Sequence, residues 1–247
     1  MRDRGESEVV GFVLIFAMIL TTITLLSATG YAGLDNARDF ARTNNAERAM
    51  TTLAENADDV ARRGIRSRTT ELKLAGGTLA VGDPVEMTVS GERVANRSEN
   101  FTATYALRPL VYELRSGTRL VYVDGAVIRQ EERGAVMARE PDLLLSGDSA
   151  VIPVVRLSSS RPAGIGGSST VLARFAHNGT ATARAERGPH ALTVNVTSPR
   201  SGAWQRYLSA FSATTCSRSD TTVSCTLVTD RVFVSVRDVE FSTEHRR

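Results

Sequence analysis

Hydrophobic and polar positions alternate in three different ways along this chain, and the changes of rhythm divide it. Residues 9–28 carry no charge. About twenty such residues, at 1.5 Å rise each, make a helix as long as the ~30 Å hydrocarbon core of a bilayer is thick. Residues 34–63 are rich in Ala and lack Pro and Gly, so the helix is expected to continue. There Met50, Leu53, Ala57 and Val60 or Ala61 recur at helical spacing on one side, Asp58/Arg62 and Asp59/Arg63 form i,i+4 acid–base pairs, and Gly64 supplies a C-terminal stop. The expectation is one long helix, apolar over residues 9–30 and amphipathic over 34–63. Its second, alanine-rich half is expected to pack modestly on a sheet.

Beyond Gly64 the period falls to two. Leu72 and Leu74 flank Lys73; Val85, Met87 and Val89 alternate with Glu86 and Thr88; Phe101, Ala103, Tyr105 and Leu107 alternate with Thr102 and Thr104. These are half-buried strands. Residues 110–115 and 119–123, joined by Ser116-Gly117-Thr118, predict a hairpin, and Asp124-Gly125 turns the chain into Ala126, Val127 and Ile128, giving an antiparallel meander. Strands are also expected over 151–157, 169–176 and 180–185, with Asn178-Gly179 as the hairpin turn between the last two and all pairing antiparallel. Ser198 as cap, Pro199 in the first turn and Trp204, Tyr207, Leu208 and Phe211 at i, i+3, i+4 and i+7 predict one short amphipathic helix with a core-facing stripe. Strands over 221–229 and 231–241 and a frayed polar tail from Thr243 complete the chain. The fold class is therefore α+β: a long N-terminal transmembrane helix, then a mainly antiparallel β-rich outer domain.

Composition narrows the function classes. Net charge is +3 and the basic residues, all arginine but Lys73, are dispersed rather than clustered, which argues against nucleic acid as a partner. The 247 residues suit one domain of ordinary size after the membrane segment. Cys216 and Cys225 enclose the polar stretch SRSDTTVS, too widely spaced for a C-x-x-C pair and without a nearby histidine. Outside the cytoplasm they are expected to form a disulfide contributing about 2–3 kcal/mol. Four N-x-[S/T] sequons, at Asn96, Asn100, Asn178 and Asn195, are candidate N-glycosylation sites.

Candidate chemistry is sparse. His177, His190 and His245 stand in or beside predicted turns or in the tail, and neither an H-x-x-x-H pair nor G-x-S-x-G occurs. Glu131-Glu132 and Asp58-Asp59 read as solvated surface charge. Gly164-Ile165-Gly166-Gly167 lies in the Ser/Gly/Pro stretch SSSRPAGIGGSS, without the lysine or strand-turn-helix context of a phosphate loop, and reads as a flexible loop. No enzyme activity, catalytic residue, cofactor or metal is expected.

The N-terminus carries the most specific signal. A secretory signal places its positive charge directly before a short apolar run and ends on a small-x-small site. Here Arg2 and Arg4 come first, then Gly5, and Glu6 and Glu8 stand before the apolar run. By the positive-inside rule the N-terminus is cytoplasmic and everything after Tyr31 is outside. The order Arg4, Gly5, Glu6-Ser7-Glu8-Val9-Val10-Gly11 resembles the class III signal of archaeal type IV pilins and archaellins, which prepilin peptidase cuts after a basic residue plus Gly or Ala. The stretch from Tyr122 to Leu157, with TSPRSGAWQRYL around Trp204, resembles the outer domain of membrane-tethered pilin-like proteins of haloarchaea.

This resemblance implies a leader at 1–5 with Arg4, Gly5 and Glu6 as the processing site, the helix at 6–64, and an extracytoplasmic head at 65–247. The partners it implies are the membrane, prepilin peptidase and pilin-like subunits packed helix to helix, in surface filaments or adhesion. One departure stands out: bacterial pilins carry a glutamate at the fifth mature position, whereas Glu6 and Glu8 would be first and third. The alternative is a non-polymerising single-span surface protein whose β domain binds a ligand or partner, and behind it an extracytoplasmic hydrolase.

Overall fold

The computed structural model describes residues 3–96, 98–159, 164–179 and 182–245, with side chains throughout except at 3–9, 28–33, 35, 36 and 245. Two compact units divide the chain, Met1–Asn44 and Asn45–Arg247. Helix α1, Asp3–Arg62, runs unbroken through the sequence boundary between them. In the first unit it includes Val10–Ser27, an 18-residue window of mean hydropathy 2.4, long and apolar enough to cross a membrane. Gly64, at φ +70°, ends the helix region in the left-handed conformation that glycine adopts without strain.

The second unit starts with the remainder of α1. Ala46, Met50, Leu53, Ala54, Ala57, Val60 and Ala61 are all buried. Their spacing keeps them on one stripe, and the alanines let the backbone approach its neighbours closely. The packing is far from modest: Met50 and Leu53 are among the largest fully buried side chains of the protein.

Fifteen strands and one helix follow among the described residues. They are β1 (Ser67–Lys73), β2 (Thr78–Val81), β3 (Val85–Arg93), β4 (Asn100–Leu107), β5 (Leu110–Glu113), β6 (Arg119–Val123), β7 (Ala126–Glu131), β8 (Gly134–Arg139), β9 (Leu144–Leu145), β10 (Ala150–Ser158), β11 (Ile165–Gly166), β12 (Thr170–His177), β13 (Thr182–Thr197), α2 (Ser201–Leu208), β14 (Thr215–Ser219) and β15 (Thr222–His245). One sheet, in the order β11-β2-β5-β6-β7-β8, holds the expected meander as β5-β6-β7, with β2, β8 and β11 added to it. It is apolar on both sides at its centre. Leu120, Tyr122 and Val127 join the core formed with the α1 stripe, while Val121, Val123, Ala126 and Ile128 join the core beneath the other sheet. That two-sided burial explains the uninterrupted apolar runs LVYV and AVI.

The larger sheet is built on β15, 24 residues long. On one side of β15 lie β12 and β13; on the other lie β14 and β10. β13 continues outward to β3 and β4.

Several expectations are corrected by this topology. The two C-terminal strands are one, and Thr243 to His245 are not frayed but pair with β12. Pairing is not antiparallel throughout, because β10 runs parallel to β15 over nine positions, from Ala150 opposite Val232 to Ser158 opposite Glu240. Asn178-Gly179 is no hairpin turn: β12 and β13 run the same way along the same edge of β15, with His177 opposite Val239 and Thr182 opposite Val236. From His177 to Thr182 the chain advances five positions while its partners on β15 move three, and residues 180 and 181 lie outside the described residues.

Two local readings also change. Ile165 and Gly166, within the stretch expected to be a flexible loop, form an edge strand against Leu79 and Thr78, while residues 160–163 of that stretch lie outside the described residues. The N-cap of α2 is Arg200, with no side-chain cap. Ser198 instead accepts the Arg200 N–H at 3.1 Å, and Ser201 Oγ reaches the Asp220 carbonyl at 2.9 Å. The aromatic stripe does face the core, with Trp204, Tyr207 and Leu208 buried and Phe211 packed beside them.

Candidate functional site

In the first unit, the residues with functional potential are apolar. Every large apolar side chain from Val10 to Leu26 is at least 49 % exposed. They point to all sides of the helix, so no single docking stripe could bury them. An apolar surface of that extent needs lipid or other protein around it. Thr21, Thr22 and Thr24 fit such surroundings, since their hydroxyls donate to the carbonyls of Ala17, Met18 and Leu20, each at 2.8 Å. No hydroxyl proton among these three is left to be stranded in an apolar medium. Arg4, Gly5 and Glu6 lie in the first turns of α1, which begins at Asp3.

In the second unit, a polar cluster fixes the last turns of α1 to the β6–β7 turn. Asp58, read from sequence as solvated, is in fact 9 % exposed. It accepts a hydrogen bond from Arg139 at 2.6 Å and has Arg62 at 3.7 Å. Arg62 also pairs with Asp142, and Arg139 donates to the Gly125 carbonyl. Arg139 is 81 residues from Asp58, which is why the sequence reading sees only the local Arg62 partner. Glu131 and Glu132 are exposed, as expected.

Asp124, at the head of the β6–β7 turn, is 1 % exposed and has φ +50°, followed by Gly125 at +82°. Its Oδ1 accepts the Val155 N–H at 2.7 Å, tying the turn to β10, while among the described residues Oδ2 and the buried Tyr122 hydroxyl have no hydrogen-bond partner. Burial pushes the Asp124 carboxyl up to about 7, against the pull of the Val155 N–H and Arg62. Burial also raises Asp58, outweighing Arg62 and Arg139, and raises Tyr122 well above its usual range.

An acid raised in the folded state contributes stability that is complete below its unfolded value near 4 and is lost as pH rises through the folded value. Asp124→Asn is therefore expected to raise the unfolding free energy at pH 8 by about 1–3 kcal/mol and to flatten the decline between about pH 4 and 7. Asparagine keeps the acceptor for Val155 and suits the positive-φ turn. Urea unfolding across this range measures it; an unchanged slope would refute the assignment.

The other candidate residues are dispersed. Cys216 and Cys225 form a disulfide across the β14–β15 pair. His177 is exposed at the end of β12, whereas His190 is not at a turn but buried within β13, its Nδ1 2.6 Å from the Gly188 carbonyl. Among the described residues no three His, Cys, Asp or Glu side chains are placed to hold a metal ion. Asn96, Asn100 and Asn178 are exposed and Asn195 is half-buried in mid-strand.

The profile of a protein family described as a family of unknown function, DUF7289, matches residues 4–242. No curated protein and no solved structure matches the chain.

Proposed function

The chain belongs to the DUF7289 family, and from that premise we propose that it is a type IV pilin-like cell-surface subunit. The supporting observation is that one helix carries an 18-residue apolar window exposed on every side and also supplies the core stripe of a β-rich head. One helix thus serves both the segment that needs apolar surroundings and the core of the head. In the precursor the surroundings are lipid, with Arg2 and Arg4 on the cytoplasmic side and the head outside.

Cleavage after Gly5 removes the five residues Met1 to Gly5, both arginines among them, and leaves Glu6 first. Sister helices then replace lipid around Phe12, Leu14, Phe16 and their neighbours. Each such side chain is worth about 1.5–3 kcal/mol if fully removed from water, so leaving the bilayer requires an equally apolar destination. The function in this reading is filament formation or adhesion.

A second reading is favoured by one observation. Position 10, the fifth after the cut, is Val10 and not the glutamate of bacterial pilins. Without that side chain the chain would remain a single-span surface protein whose head engages a ligand. Intact-mass measurement of the protein from cells with and without prepilin peptidase separates the two. We expect a loss equal to residues 1–5 that depends on the peptidase; an identical mass retaining Arg2 and Arg4 supports the anchored form.

A further inference from the structure

The middle of the large sheet's face turned away from the core is a lattice of small uncharged hydrogen-bonding groups, bounded on β3 by the exposed Glu86 and Glu92. Strand register sets Thr102, Ser90, Thr193, Thr226 and Thr215 side by side across β4, β3, β13, β15 and β14. The next row is Thr104, Thr88, Asn195, Ser224 and Ser217. All ten are exposed or half-exposed, and none is charged. Rows of this kind lie about 6.8 Å apart, with neighbours in a row about 4.8 Å apart. Hydroxyls both donate and accept, so the face offers hydrogen bonds to a neutral polyol and no electrostatic hold on an ion.

Asn100 stands at the corner of this lattice. It is two residues before Thr102 on β4, where burial alternates strictly, so its side chain emerges on the hydroxyl face. The same Thr102 is the third residue of its Asn-Phe-Thr sequon. Asn96 is tied into its turn, donating to Glu99 at 3.1 Å and accepting from Ser98 Oγ at 2.6 Å, and Asn178 donates to Ser158 at 3.1 Å. Asn195, between Thr88 and Ser224 in the middle of the sheet, has its Oδ1 out of solvent. Asn100 is exposed, and among the described residues its side chain has no hydrogen-bond partner.

We propose that Asn100 carries an N-linked glycan and that the Ser/Thr lattice is the bed on which this glycan lies. The inference rests on the head being outside the cytoplasm. Transfer forms a bond from Asn100 Nδ2 to the anomeric carbon of an oligosaccharide and breaks that carbon's bond to the phosphate of a lipid-linked donor. The amide gives up one proton and the lipid phosphate leaves. Glu92 stands opposite Asn100 on β3, so the attached neutral sugars reach Ser90, Thr193 and Thr88 by way of Thr102, on the side away from that carboxylate. As the glycan is already tethered, little translational entropy opposes its settling there.

The test uses the full chain made in a host with N-glycosylation machinery. Ser116→Asn, which creates an Asn-Gly-Thr sequon in the exposed β5–β6 turn, serves as a reporter of location. We expect glycopeptides at both Asn100 and the reporter site, and loss of the former in Asn100→Gln. The double variant Ser90→Ala/Thr193→Ala should then lower the melting temperature by at least about 2 °C more in the glycosylated protein than in the Asn100→Gln background. A modified reporter with a bare Asn100 overturns the assignment. Equal shifts in both backgrounds overturn the docking. If neither site is modified, the extracytoplasmic reading itself falls, and the proposal with it.

Discussion

Leu53→Ala is expected to lower the melting temperature of the head by roughly 6–12 °C, while Leu20→Ala on the same helix leaves it unchanged. Leu53 is 1 % exposed in a core shared with Met50, Tyr112, Tyr122 and Phe175. Truncating such a side chain costs about 3 kcal/mol in transfer and cavity energy, and each kcal/mol moves the midpoint of a domain of this size by about 2–4 °C. Leu20 is 49 % exposed, belongs to the unit Met1–Asn44 and is no member of the head's core, so its truncation leaves that core packed as before. Leu53→Asp, which buries an unpaired charge, should yield no folded head at all. Thermal unfolding of the detergent-solubilised full chain, followed in the near ultraviolet, reads all three. Equal shifts for Leu53→Ala and Leu20→Ala would mean that the second half of α1 is merely a stalk.

The stripe that makes this prediction was visible in sequence because a helix repeats locally: Met50, Leu53, Ala57 and Val60 lie within three turns. What was not visible was its depth, because alanine scores as a weak hydrophobe whether it lines a stalk or lets a helix sink into a core. Individual strands were legible for the same local reason. Val85, Met87 and Val89 are buried where alternation put them, and the Asp124-Gly125 turn is where a positive-φ dipeptide had to be.

Pairing between distant strands leaves no such trace. β10 and β15 are parallel although no strand-helix-strand pattern announces it, since the chain passes through β11, β12, β13, α2 and β14 before β15 forms. At Asp230 and Arg231 two consecutive exposed residues break the alternation, which split one 24-residue strand into two in the sequence reading. Asn178-Gly179 is a turn signal that tertiary pairing overrides, because β15 is long enough to hold both flanking strands on one edge. The hydroxyl lattice was equally hidden. Each strand shows its own Thr and Ser at alternate positions, and only the register assembles them into rows.

Arg139→Met is expected to destabilise the head by about 3–5 kcal/mol at pH 8 and by clearly less at pH 4. The Arg139 guanidinium is the hydrogen-bonded partner of Asp58 at 2.6 Å, and without it Asp58 keeps only Arg62 at 3.7 Å, itself shared with Asp142. Removing one member of a buried pair leaves the other charge uncompensated, which accounts for the size of the loss. Burial already raises the Asp58 carboxyl above its usual value, and losing a cation raises it further. Below the unfolded value near 4 the carboxyl is neutral in both folded and unfolded chains, so at pH 4, close to that value, most of that part of the loss disappears. The part due to the Gly125 carbonyl, which also loses its Arg139 donor, persists at every pH. Asp58→Asn in the Arg139→Met background should therefore recover most of the pH 8 loss and little of the pH 4 loss. Chemical denaturation of the four proteins at the two pH values completes the cycle, and a pH-independent loss in Arg139→Met would show that Asp58 does not depend on Arg139 for its charge. Because these residues join the last turns of α1 to the β6–β7 turn, the same measurement tells how firmly the head holds the end of the helix that carries the apolar segment.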